Sequence, residues 1–204
     1  ISILDYMRTI TFFGFFLLLI FSSCHMASYR LLSDIEPVDF SNGKWLINDV
    51  QGDKVDGVIC DKMQVFAIDK FNKVLGSRIS DIRHAGNIII PSKIPFNPKP
   101  HILSDIKKGT GFDYFINIRV ELISDNFGTI QITKPDRSED YKNEIQVVVE
   151  IYDLNTKEII SKQYAMGIIG NRHGTRIAEG FSFSTQKVKL AIGALNKILK
   201  KLIK

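Results

Sequence analysis

The amino-acid sequence predicts an α/β (α+β) two-layer fold: a mixed β-sheet with helices packed mainly on one face and a long amphipathic C-terminal helix. Three observations carry that prediction. Asp113 to Ile123 (DYFINIRVELI) alternates, with Ile116, Ile118, Val120 and Leu122 on one side and Asn117, Arg119 and Glu121 on the other, the period of a half-buried strand. Glu144 to Asp153 (EIQVVVEIYD) and Glu158 to Met166 (EIISKQYAM) flank Leu154-Asn155-Thr156-Lys157, the pattern of a hairpin. Thr185 to Ile203 repeats apolar residues at three- and four-residue steps, as an amphipathic helix does. With 45% apolar and 24% charged residues in a chain of 204, one packed domain with appendages is expected rather than disorder. The net charge of +5 suits anionic surfaces in general and selects none.

The chain opens with a leader, MRTITFFGFFLLLIFSSC from Met7 to Cys24. Ile10 to Phe21 is uncharged and twelve residues long, short of the ~20 a helix needs to cross a bilayer. It fits the ~7–15 residue apolar centre of a secretory signal, with Arg8 as the positive flank if Met7 is the true start. Ser22-Ser23-Cys24 follows directly. The arrangement resembles the lipobox of bacterial lipoproteins, although Phe21 stands where that family usually has Leu. The resemblance implies that a peptidase cuts before Cys24 and that Cys24 carries lipid. Two or more acyl chains anchor a protein stably, whereas one does so marginally. An uncleaved anchor, since Thr9 to Tyr29 is uncharged, and plain secretion are the alternatives. Cys60 then has no partner within the chain, and among Val58, Ile59 and Met63 it reads as a small buried hydrophobe.

Residues 1–23 are thus expected as upstream residues plus signal peptide, 24–43 as a lipidated tether, and 44–204 as the domain. The tether, His25 to Gly43, is largely polar and holds Pro37 and the turn Ser41-Asn42-Gly43. Lys44 to Val50 (KWLINDV) reads as a short strand. A helix follows over Val58 to Leu75, with Ile59, Met63, Phe66, Ala67, Phe71, Val74 and Leu75 in one stripe and Gly76 as a stop. Asn87 to Ile90 (NIII) reads as a buried strand. Pro91 to Pro100 (PSKIPFNPKP) holds four of the six prolines, which excludes helix and central strand. His101 to Lys108 is a short helix with Lys107 and Lys108 in its last turn and Gly109 as the left-handed cap. Phe127 to Thr133 reads as a further strand and Lys134 to Asn143 as a charged loop. In the last helix Val188, Ala191, Ile192, Leu195, Ile198, Leu199, Leu202 and Ile203 form the stripe. Lys187, Lys189, Lys197, Lys200, Lys201 and Lys204 point elsewhere. Covering the sheet is the expected role of that stripe; lying on a membrane is the alternative.

Two stretches resemble bacterial envelope lipoproteins: the curli-secretion channel family, the lipoprotein activators of penicillin-binding proteins, and the amino-terminal domain of the Tol-system β-propeller protein. These are ILSDIKKGTGFDYFINIRVE (Ile102 to Glu121) and EIQVVVEIYDLNTKEIISKQ (Glu144 to Gln163). Lys157 stands where the family usually has Gly, and Asn155 is expected to take the positive φ instead. The resemblance spans roughly Lys44 to Lys204 and speaks for fold rather than activity.

Catalytic signals are sparse. His25, His84, His101 and His173 offer only the pairs His101/Asp105 and His84/Asp81, two ligands each where a metal site needs three or four. Asp49, Asp53, Asp56 and Asp61 gather at the start of the first long helix, where acids cap free amides and suit the dipole. Gly109-Thr110-Gly111 precedes a strand, so it lacks the helix start that a phosphate loop requires. No nucleophile elbow or Cys/His pair stands out, and the chain reads as a non-enzyme with no cofactor beyond the covalent lipid.

Three surfaces are expected to bind. One is the proline segment with Ile94 and Phe96 exposed. The second is the far face of the hairpin, with Val148, Tyr152, Ile160 and Tyr164. The third is the basic loop Gly170 to Arg176, with Arg172 and Arg176. Together these readings describe an outer-membrane lipoprotein, lipid-anchored and facing the periplasm, that docks an envelope protein and binds no nucleic acid. A homo-oligomer, as in a curli-type secretion pore, is the alternative. A pore needs strands of about 9–11 residues facing lipid and lumen, and Thr129 to Asp153 supplies one such hairpin at most.

Overall fold

The computed structural model describes residues 27–33, 37–84, 94–125, 141–171 and 183–203. Along them run β1 (Ser28–Leu31), β2 (Trp45–Ile47), β3 (Gln51–Asp53), α1 (Gly57–Leu75), β4 (Ile79–Asp81), α2 (Pro100–Thr110), β5 (Tyr114–Asp125), β6 (Tyr141–Asp153), β7 (Glu158–Asn171) and α3 (Phe183–Leu202). Seven strands make one open sheet in the order β1-β7-β6-β5-β2-β4, with β3 also paired to β5. The β1/β7/β6/β5 pairings are antiparallel, and β2 and β3 lie parallel to β5. The sheet is therefore mixed and the fold α+β, as expected.

Local chemistry explains the helices. Asp56 opens α1 by accepting a hydrogen bond from the Val58 amide at 3.1 Å. Ile59, Met63, Ala67, Phe71 and Leu75 then recur at four-residue steps and are all buried. In α3, Val188, Ala191, Leu195, Ile198, Leu199 and Leu202 are buried likewise. Both helices lie on one face of the sheet and share a core with Ile116, Ile118 and Val120 of β5 and Ile145, Val147, Val149 and Ile151 of β6. Each such side chain contributes about 1.5–3 kcal/mol by leaving water.

The other face is partly covered too. Leu103 and Ile106 of α2 meet Leu46, Phe115, Tyr152, Leu154 and Ile94 in a second, smaller core. Strand β5 is therefore buried on both sides at its start, and Asn117 has no solvent exposure although it alternates as if it faced water. One helix thus forms a partial third layer.

Four expectations need correction. The stretch 24–43, expected as a tether, contributes a strand to the sheet: Ser28–Leu31 pairs antiparallel with Ile168–Ala165. Phe40 from the same stretch sits in the main core, its ring centroid 4.9 Å from that of Trp45. The left-handed cap of α2 is Gly111 (φ +70°), not Gly109, and its amide donates to Lys107 O at 2.9 Å. The Thr110 hydroxyl donates to Ile106 O at 2.7 Å and carries the last turn past Gly109. In the β6–β7 turn Lys157, not Asn155, takes the left-handed conformation (φ +64°). Asn155 is held instead by its amide on Asp153 Oδ1, at 2.7 Å. The strands expected at 87–90 and 127–133 lie outside the described residues, while Tyr141 to Asn143, expected in a loop, belong to β6.

Candidate functional site

The cross-strand register puts Leu32, Tyr164, Val148 and Arg119 in one row on the sheet face opposite α1 and α3. Tyr164 pairs with Val148, Val148 pairs with Arg119, and the Leu32 amide donates to Tyr164 O at 3.0 Å. Leu32 is 50% exposed and Ile160 39%, with Tyr164 half-buried between them. Tyr164 therefore stays a surface residue, as expected.

Tyr152 does not. It is buried under α2, and its hydroxyl donates to Glu150 Oε2 at 2.6 Å. Glu150 has no solvent exposure, and its other oxygen meets Lys162 Nζ at 2.7 Å. Lys162 in turn lies 5.7 Å from the Tyr164 ring centre. Burial, reinforced by Glu150, pushes the Tyr152 phenol far above its usual range, so it remains a donor. The hydrogen bond to Glu150 is the main force raising the Lys162 pKa, which keeps that ammonium charged. A buried carboxylate closed by a phenol and an ammonium fixes geometry rather than moving protons. What it presents outward is a cation beside an aromatic ring.

The proline segment is also placed differently. Ile94 is buried, not exposed, because three side-chain amides hold its backbone down. Asn48 Nδ2 and Gln51 Nε2 donate to Ile94 O at 3.2 and 2.8 Å, and Asn117 Nδ2 donates to Pro95 O at 3.2 Å. Phe96 is half-buried, with the Arg119 guanidinium 5.8 Å from its ring centre. Cys24, Arg172 and Arg176 lie outside the described residues.

Of the acidic cluster only Asp56 caps. Asp49 and Asp61 both accept from Arg83, and Asp53 pairs with Arg119 at 2.9 Å. His84 Nδ1 lies 3.8 Å from Asp81. Among the described residues no three or more His, Cys, Asp or Glu side chains converge as metal ligands. Burial pushes the Cys60 thiol up, away from the reactive thiolate.

Glu150 and Lys162 carried a signal that periodicity alone passes over: an acid set inside the apolar run VVVEIYD. A second missed feature is the meeting of Tyr29 with two glycines. A Cβ on Gly193 would run into the Tyr29 ring, and one on Gly167 would stand 2.9 Å from Leu190 O and 3.3 Å from that ring. The Tyr29 hydroxyl donates to Lys189 O at 3.3 Å. Strand β1 is thereby pinned to α3 as well as to β7.

No family model and no curated protein matches the chain. Solved structures similar to it include the PelC dodecamer of Paraburkholderia phytofirmans, at 10% identity and TM-score 0.43, covering 85% of this chain and 98% of that one. The lipoprotein GNA1162 of Neisseria meningitidis is 9% identical with TM-score 0.39, covering 76% and 99%. Protein XCC0632 of Xanthomonas campestris is 7% identical with TM-score 0.38, covering 79% and 84%. Likeness this low carries no argument about activity or partners.

Proposed function

We propose that the chain is a lipoprotein of the cell envelope, anchored through acylated Cys24 at the outer membrane and facing the periplasm. Its role is to dock a protein partner in envelope assembly rather than to catalyse. The observation that carries this reading is the sequence Ser22-Ser23-Cys24 at the end of a twelve-residue uncharged run, with the first described strand, β1, opening at Ser28. Lipid confines the domain to a surface and so raises its effective concentration beside a partner in the same membrane. The docking surface proposed is Leu32, Ile160 and Tyr164 with Lys162, which joins exposed apolar area to a cation held by Glu150. Among the described residues no helix is long and apolar enough to cross a membrane.

Mass spectrometry of the amino-terminal peptide from purified membranes tests the anchor: a diacylglyceryl and acyl mass on Cys24 is expected, and a free thiol or a retained leader overturns it. A photo-crosslinker at Tyr164, compared with one at the remote turn residue Lys157, tests the docking face in intact cells. A discrete adduct at Tyr164 alone is expected. Equal labelling at both positions removes the face, and adducts consisting only of second copies of this chain favour the ring-forming alternative.

A further inference from the structure

Strand β1, which follows Cys24 in the chain, lies on a particular side of α3. Tyr29 lies against Gly193, and the four-residue steps from 193 place Lys189, Lys197 and Lys201 along the same ridge, with Lys200 beside it. All four lysines are exposed. Lys73, Arg83, His84, Lys107, Arg119 and Lys162 form ion pairs among the described residues, and none of these lies on that ridge. From Phe183 to Leu202 the helix holds no acid at all. A single-sign face of this kind is not needed for packing, which the opposite, apolar stripe performs.

Distance then restricts what can meet that face. Only His25 and Met26 lie between Cys24 and Ala27, the first described residue, and an extended chain spans at most about 3.3–3.6 Å per step, so roughly 11 Å over the three steps. With β1 locked to β7 and to α3, the domain cannot turn freely about that link. We infer that the Lys189, Lys197, Lys200 and Lys201 face of α3 rests on the anionic phospholipid surface into which Cys24 is anchored. The inference rests on the lipoprotein reading above and adds to it an orientation and a lipid charge. Phosphate headgroups fit because four ammonium groups on one ridge meet an extended negative plane, which a compact acidic side chain does not provide. Each lysine near such a surface improves partitioning by roughly fivefold, and salt weakens the attraction within a Debye length.

Lysine footprinting on the mature, acylated full chain tests this without altering the fold. The chain is reconstituted into vesicles of phosphatidylcholine alone or mixed with phosphatidylglycerol, and amine acetylation rates are read peptide by peptide. In the mixed vesicles the four lysines should label several-fold more slowly than in neutral ones, while Lys108 and Lys157, exposed at a distance, do not change. The protection should vanish near ~0.5 M salt, where screening reaches only a few ångströms. Equal rates in both vesicles overturn the inference, and protection seen only in intact cells overturns it in favour of an acidic protein. The same spectra report Cys24: an unmodified thiol removes the lipoprotein reading and this one together, whereas acylated Cys24 with unprotected lysines removes this one alone.

Discussion

At the residue scale, two side chains decide more than their size suggests. Gly193 lies inside α3, where alanine is favoured over glycine by about 1 kcal/mol. A methyl there, however, would occupy the space of the Tyr29 ring. Gly193→Ala should therefore leave the thermal midpoint within a few degrees while loosening β1. Hydrogen exchange at Tyr29 to Leu31 should speed up by about tenfold or more, and unchanged exchange there would show that the ring relocates freely. Tyr152 controls the alkaline limb of stability. Its folded pKa is raised chiefly by burial and then by Glu150, so the unfolded phenol loses its proton near 10 while the folded one keeps it. The stabilising contribution is thus complete below about pH 10 and falls above it, by up to ~1.4 kcal/mol per pH unit. Tyr152→Phe should cost about 1–2 kcal/mol at pH 8, through the lost bond to Glu150. That deficit should shrink by pH 11, as urea midpoints at the two pH values would show; an equal deficit at both refutes the linkage.

At the scale of elements, the β6–β7 hairpin offers the cleanest check. Lys157 holds φ +64°, a conformation that costs a side-chain-bearing residue roughly 1–2 kcal/mol and glycine much less. Lys157→Gly should stabilise the protein by about 0.5–1 kcal/mol, net of the greater freedom glycine has when unfolded, readable as a higher urea midpoint. The same hairpin shows what a sequence can reveal. Its two strands, the stripes of α1 and α3, and the inward face of β5 are local periodicities, and each is found where the pattern puts it, except that Val74 at the end of the α1 stripe is 38% exposed. What covers a face is not local. Asn117 alternates as a solvated residue yet is sealed by its bonds with Pro95, Asn48 and Gln51, while Tyr152 and Ile94 are buried against α2. Strand β1 has only four residues, SYRL, and its partners lie more than 130 positions away, so no short-range pattern announces it. Of the candidate site, Tyr164 and its surface position were legible. The Glu150–Lys162 pair was not, because its meaning depends on the neighbouring strand.

At the scale of the whole molecule, the short link between Cys24 and β1 turns an address into a geometry. A domain on a long flexible tether samples all orientations, whereas one held by a link of three chain steps and a docked strand keeps a single side toward its membrane. The lone tryptophan gives a native gauge of that arrangement. Trp45 is fully buried in β2, four strand spacings from β1, or about 19 Å across the sheet. Energy transfer from Trp45 to an acceptor-labelled lipid should be strong in the acylated protein. Inserting about twelve Gly/Ser residues after Ala27 adds roughly 17–20 Å of root-mean-square reach. It should lower that transfer and relieve the protection of the α3 lysines, with the thermal midpoint and Cys24 acylation unchanged. Transfer that survives the insertion would mean that the lysine face alone holds the domain down, and the link would then set no orientation. Transfer that is weak even before insertion would place the domain away from the bilayer, held there by whatever protein occupies its basic side.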